Sequence, residues 1–381
     1  MSGGTVVIGK RLERTNLAIR DGRVAGPPAD DLGASPVLDA TGLTVLPGFI
    51  DIHVHGGGGH SFFTRDPSRI AAYAAWAPRN GVTAFLVSVV GSDSEDTSGI
   101  LSALRPAIDV QSAGATALGF HLEGPFINPL RRGAFPGELL RAPSAAEFAV
   151  YQEAAGGTIR QATLAPELPG ALDLIHEVVA SGAIAAMGHT DATLEQARAG
   201  FAAGIGHVTH LFNAMRPLHQ REGGPVAAAL LSQATCELIF DGMHVSPEML
   251  QLAFGLLGSA RTVAVTDNLY LAGSGTTEGR FAGGTVRERG GVAQREDGTI
   301  VGSTLTMDQH FRNVVQILGV DLVTASAICS TNAASLLGMP DLGSTAEGSL
   351  ADLVLVDDRL DIVATLCSGR IGYLRDAWRL A

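Results

Sequence analysis

The chain has 381 residues, 46% hydrophobic and 17% charged, with a formal net charge of −12. That length suits one large barrel with an appendage, or two domains, and the composition is that of a compact globular protein. An acidic balance without a basic stripe argues against a nucleic-acid binder, and 48 glycines without a fixed period exclude a collagen-like or linker sequence.

Lys10 is the one lysine. The body of the chain therefore has no side chain for a Schiff base, a P-loop or a carbamylated metal bridge. Cys236, Cys329 and Cys367 are scattered and suggest no disulfide framework or CxxC site. No basic-then-apolar leader is visible, and no apolar run reaches the roughly 18 residues of a membrane span. The expectation is a soluble cytoplasmic protein with no membrane partner.

Residues 5–8, 17–20 and 23–25 read as short strands, with a hairpin turn at Asp21-Gly22, and 36–46 add strand-like sequence. Residues 350–357 and 361–373 alternate in the same way around Ser368-Gly369. The expectation is that residues 1–47 and 345–381 pair into one small β-sandwich domain, with 48–344 inserted between them.

The middle repeats an apolar strand, a polar loop and an alanine-rich helix. The expected strands are 48–55, 82–90, 115–123, 158–165, 183–189, 205–211, 235–241 and 262–267. Expected helices lie at 68–79, 98–109, 144–155, 170–181, 192–203, 223–233 and 246–258, with two more at 304–318 and 321–337. Residues 281–301 read as an inserted hairpin turning at Gly290-Gly291 and Asp297-Gly298. Eight such units in series predict an α/β fold, a (β/α)8 TIM-like barrel.

In such barrels the active site sits at the C-terminal strand ends. The first strand delivers His53 and His55, two apart and so on one side of the strand. The third ends in Glu123, the fifth in His189, the sixth in His210 and the eighth in Asp267. Together these are imidazole and carboxylate ligands suited to zinc or a similar divalent ion. A catalytic metal needs a nearby base, and Asp267 is the natural one. His121 and His207, each just before a ligand on the same strand, read as supporting the ligands from behind or as lining the site, and His60, His176, His219 and His310 as structural or surface residues.

These residues resemble the amidohydrolase superfamily. The segments His121-Leu122-Glu123-Gly124-Pro125-Phe126, Gly188-His189-Thr190, Thr209-His210-Leu211-Phe212-Asn213-Ala214-Met215, Asp241-Gly242-Met243-His244 and Gly302-Ser303-Thr304-Leu305-Thr306-Met307 are similar to its N-acetylglucosamine-6-phosphate deacetylase family. The resemblance implies metal-dependent hydrolysis of a linear amide C–N bond, turning N-acetylglucosamine 6-phosphate into glucosamine 6-phosphate and acetate. It implies Glu123, His189 and His210 as ligands of the main metal, His53 and His55 as ligands of a second, and Asp267 as acid and base. One or two Zn²⁺ per subunit are expected. Glu123 holds the place that a carbamylated lysine takes in relatives. Asn213, Ala214, Arg221 and His244 match contacts to the sugar phosphate, and Ala134, Asp241, Gly242, Met243, Ile300, Val301 and Gly302 match further substrate contacts. A homodimer with phosphate contacts across its interface is implied too.

Two positions depart from the family. Phe135 stands where a histidine that helps bind the acetamido group is usual, and Asn268 follows Asp267 where alanine is usual. The alternative functions are an amidohydrolase for another N-acylated sugar or amino acid, and a non-catalytic sugar-phosphate sensor.

Overall fold

The computed structural model describes residues 1–26, 37–91, 94–110, 113–281 and 284–375. Its centre is eight strands: Phe49–Val54, Val82–Val90, Thr116–Glu123, Ile159–Leu164, Ile184–Met187, His207–Val208, Thr235–Ile239 and Thr262–Val265. They pair in parallel in chain order, with helices following the strands, so the fold is the expected (β/α)8 barrel. Helices cover the outside, so these strands are buried almost throughout. In Val82–Val90 only the last residue is not.

The ring closes between strands eight and one without a long ladder. The Asp267 N–H donates to the His53 carbonyl at 2.8 Å, and the His55 N–H donates to the Asn268 carbonyl at 2.8 Å. Below them the Thr266 hydroxyl donates to the Asp51 carboxylate at 2.6 Å. This seam brings the ends of strands one and eight side by side.

The helices start where local chemistry allows. Asp66 caps Pro67–Trp76 by accepting the Ser68 N–H, and proline stands at its first position. Thr193 and Gln196 cap Leu194–Ala203 reciprocally. The helix expected at 98–109 instead spans Ser94–Leu104 and ends in a short turn, Arg105–Ala107. Pro106 explains the stop, because proline has no N–H to continue the helical hydrogen bonding. The segment 321–337 is not one uniform helix either: Leu322–Ser326 and Asn332–Leu336 flank a wider turn, Ala327–Thr331. There the Ser330 hydroxyl donates to the Gly48 carbonyl and that of Thr331 to Gly343, tying the segment to the barrel and its flank.

Both chain ends meet in one sheet. Its order is Arg11–Thr15, Gly4–Ile8, Thr44–Pro47, Leu353–Val356, Ile362–Cys367 and Arg370–Leu374. Thr44–Pro47 runs antiparallel to Leu353–Val356, and the sheet packs its own core around Val6, Leu17, Val45 and Leu353. The Asp21-Gly22 turn joins Ala18–Arg20 to Arg23–Ala25, with positive φ at both residues. The insertion is larger than one hairpin. Four antiparallel strands, Glu278–Phe281, Gly284–Arg289, Val292–Gln294 and Ile300–Ser303, stand over the C-terminal end of the barrel. Among the described residues no helix is long and apolar enough to cross a membrane.

Candidate active site and metal centre

Strand one stays extended to Val54 and strand three ends on Glu123 itself. The other three strands stop before their polar residues, at Met187, Val208 and Val265. His189, His210 and Asp267 follow with φ of 48°, 28° and 51°. Left-handed backbone at a non-glycine residue costs on the order of 1–2 kcal/mol, and here it turns each side chain off the strand line. Hydrogen bonds hold those turns: the Asn128 N–H donates to the His189 carbonyl at 3.0 Å, and the His210 N–H donates to the Glu237 carboxylate at 2.9 Å.

The six side chains converge. Glu123 Oε1 lies 3.1 Å from both His189 Nε2 and His210 Nε2, and 3.4 Å from His53 Nε2. Glu123 Oε2 lies 3.1 Å from His55 Nε2. Asp267 Oδ1 is 3.4 Å from His53 Nε2 and 3.5 Å from His55 Nε2. All are buried.

The far side of each ring fixes which nitrogen carries the proton. His189 Nδ1 faces the Arg131 carbonyl at 2.9 Å, and His53 Nδ1 faces the Glu237 carboxylate at 2.9 Å. Both Nδ1 atoms are therefore donors, which leaves lone pairs on Nε2 pointing into the centre. His189 Nε2 and His210 Nε2 are 3.0 Å apart, and His53 Nε2 has no hydrogen-bond partner among the described residues. Two triads, His53 with His55 and Glu123, and Glu123 with His189 and His210, each bring their donor atoms within 4.8 Å. Lone pairs aimed at one another around a carboxylate fit a divalent cation.

The electrostatics agree. Burial works against charge on His53 and His55, yet the surrounding carboxylates win. His53 is held well above its ordinary pKa, chiefly by Glu123, Glu237 and Asp267, and His55 is raised to about 9 by Asp267 and Glu123. Burial likewise opposes ionisation of Glu123 and Asp267, but the histidines hold both carboxyls below the usual range. The carboxylates demand positive charge at this point, and a divalent cation supplies it.

Residues 44–372 match the model of the amidohydrolase family. The chain belongs to the amidohydrolase family. It is 37% identical over 335 residues to the N-acetylglucosamine-6-phosphate deacetylase of Bacillus subtilis, covering 87% of this chain and 85% of that protein. It is 33% identical over 362 residues to the N-acetylgalactosamine-6-phosphate deacetylase of Escherichia coli O157:H7, covering 94% of this chain and 95% of that one. Among solved structures, the N-acetyl-D-glucosamine-6-phosphate deacetylase of Mycobacterium smegmatis superposes with a TM-score of 0.89 at 36% identity, covering 96% of this chain and 98% of that chain.

In this amidohydrolase the centre opens into a cavity of about 280 Å³. Ala134, Phe135, Asn213, Ala214, His244, Ile300 and Val301 line it together with His55, Glu123, His189, His210 and Asp267. A larger groove of about 520 Å³, beside helix Pro67–Trp76, carries no ionisable side chain among the described residues, so the chemistry belongs to the smaller cavity. Asp241 does not line the cavity but holds a residue that does: its carboxylate, lowered to about 2 by His244 against the cost of burial, accepts from His244 Nδ1 at 2.6 Å. Gly302 backs Asp267, where a Cβ would meet the Asp267 carbonyl oxygen at 2.6 Å. Arg221, Gly242 and Met243 are not part of the lining, and Arg221 is exposed.

His121 and His207 lie one layer beneath the six. His121 sits between the Ser88 and Thr163 hydroxyls at 3.0 and 2.8 Å, and burial holds its pKa well below the ordinary value. His310, expected to be structural, accepts the Phe240 N–H at 3.1 Å and is kept neutral by burial, its pKa lowered to about 4. Reading the sequence missed Glu237, Asp51 and Gln161, the polar groups inside the barrel. The signal was a single charge in an otherwise apolar strand, as in Thr235-Cys236-Glu237-Leu238-Ile239.

Proposed function

We propose that this amidohydrolase removes the N-acetyl group of N-acetylglucosamine 6-phosphate, giving glucosamine 6-phosphate and acetate. One observation carries the reading: a buried carboxylate, Asp267, lies beside His53 and His55, the pair in one of two triads that share Glu123 and could each hold a metal ion, in the lining of a single cavity. Glu123, His189 and His210 would hold the main ion, and His53 and His55, sharing Glu123, a second. Zn²⁺ is the proposed metal. When bound, such an ion is a Lewis acid that polarises an amide carbonyl and makes water more acidic.

The residues of the chain do the rest. Asp267 takes a proton from the attacking water and returns it to the departing amine nitrogen. Asn213, Ala214 and His244 orient the sugar phosphate along the cavity wall. Exposed Arg221, outside the lining of its own cavity, suits a phosphate held by a neighbouring subunit in a homodimer.

The test is acetate release from a panel: N-acetylglucosamine 6-phosphate, N-acetylgalactosamine 6-phosphate, unphosphorylated N-acetylglucosamine and N-acetylated amino acids. Fastest turnover of the first supports the reading. A preference for another substrate would overturn the assignment, and no turnover of any would favour a sensor.

A further inference from the structure

Glu237 is a heavily engaged carboxylate in the barrel interior, and the proposed reaction gives it no proton to carry and no metal to hold. It stands on strand seven, fully buried. Its Oε2 accepts from His53 Nδ1 and from the His210 N–H, both at 2.9 Å. Its Oε1 accepts from Gln161 Nε2 at 2.8 Å and from His207 Nε2 at 3.1 Å. One carboxylate thus touches strands one, four and six, and one residue from each triad.

Filling hydrogen bonds alone does not require a charge here. Two neighbouring donors in the barrel interior are satisfied by neutral hydroxyls: Ser88 accepts the Val54 N–H at 3.0 Å, and Thr163 and Thr209 pair at 2.7 Å. A buried ion costs several kcal/mol unless well paired, so a carboxylate at this position calls for a reason. A carboxylate behind a ligating imidazole fixes its tautomer and makes its far nitrogen a stronger donor. His53 Nε2, the atom so affected, is the unpartnered nitrogen pointing at Glu123 and Asp267.

We propose that Glu237 is a positioning residue that couples the two triads: it presents His53 to the second metal and holds the left-handed turn that presents His210 to the first. This rests on the metal-centre reading but not on the identity of the substrate.

Glu237→Gln removes the charge and little else. The new amide oxygen can still accept from His53 and His210. The new amide nitrogen can donate to Gln161 Oε1 once that side chain is turned, and to His207 Nε2 once the ring proton sits on Nδ1 against the Thr235 hydroxyl. Metal-stripped wild type and variant would be titrated with Zn²⁺ and Co²⁺ by calorimetry, with the visible Co²⁺ spectrum and thermal unfolding recorded alongside. Wild type is expected to take two ions. Glu237→Gln is expected to keep its unfolding temperature, weaken the His53–His55 site about 10–100-fold and change the Co²⁺ spectrum. Should the Gln variant not fold, Glu237→Asp, which keeps the charge but shortens its reach to both His53 and the His210 N–H, is expected to weaken both sites. Two ions bound with wild-type affinity and spectrum in the folded variant would overturn the proposal, as would a wild type that takes only one. Because the readout is metal and not turnover, a wrong substrate leaves this result standing.

Discussion

Glu237 in the barrel and Asp352 in the terminal sheet are both buried carboxyls, 0% and 5% exposed, and they settle in opposite directions. Burial pushes each toward the neutral form. At Glu237 that push is outweighed by His53 and His207, and the carboxyl lies well below the usual range. Asp352 accepts the Ser368 N–H at 2.6 Å, which does not offset burial, and its pKa is pushed up to about 6. Depth is therefore not what decides charge in this molecule. The number and charge of the donors decide it, and the barrel centre gathers them where the triads need a fixed negative charge. The terminal sheet carries a buried carboxyl as a cost.

The sharpest way to break this contrast is to make the same change, Asp to Asn, in both regions. At the centre, Asp267→Asn should cut turnover about 10²–10⁴-fold while leaving unfolding temperature and metal content close to wild type, because a proton carrier is lost and little packing changes. Activity within a factor of two of wild type would sink the assignment. Glu123→Ala goes further for the metal. Both triads share that carboxylate, so elemental analysis should find both ions depleted; full retention would place the main site elsewhere.

At the periphery the effect should appear in stability and not in turnover. Unfolded Asp352 titrates near 3.8 and the folded group near 6. Between those values the folded state holds the extra proton, so its stability falls as pH rises from about 4 to about 6 and is level above that. At about 1.4 kcal/mol per pKa unit the full penalty is about 3 kcal/mol. Asp352→Asn keeps an acceptor for the Ser368 N–H and removes the penalty. Its stability gain over wild type, measured by denaturant unfolding, should be near zero at pH 4 and grow to its maximum by pH 7. A gain independent of pH would show that Asp352 is not the titrating group. Arg221, at the surface, is more exposed than either carboxyl. Arg221→Ala should raise KM about tenfold for the phosphorylated substrate and leave unphosphorylated N-acetylglucosamine unchanged. Equal loss on both would make Arg221 structural.

How much of this was legible in the sequence follows the same division. The barrel and the six converging residues could be read because each unit repeats strand and helix, and because the active end of a barrel is known in advance. Helix ends were less legible: Pro106 moved one, and the side-chain anchors of Ser330 and Thr331 reshaped another. The strands were expected to run through His189, His210 and Asp267, but apolar periodicity carries no signal for the left-handed turns that aim them. Glu237 stayed hidden for a different reason. A lone glutamate in a strand reads as a solvent-facing position, and only the closed ring turns that face inward. Arg221 matched by motif, yet its distance from the cavity was not visible in one chain's sequence.

The smallest expected effect concerns Phe135, which the sequence marked as unusual. It is buried on the cavity wall, its ring edge-on to His189 with centroids 5.1 Å apart and planes at 77°. A phenyl ring has no hydrogen to donate to a substrate's acetamido group, whereas an imidazole does. Phe135→His should therefore add one neutral hydrogen bond, worth about 0.5–1.5 kcal/mol, or several-fold in kcat/KM on the N-acetyl substrate. Most of the gain should fall in KM. Against it stands the edge-to-face contact with His189, itself worth about 0.5–1.5 kcal/mol. An imidazole is aromatic and flat, so much of that contact survives the exchange and the hydrogen bond should win. If Phe135→His instead abolishes activity, the apolar wall belongs to this enzyme's own substrate, and a bulkier acyl group becomes the better reading of the cavity.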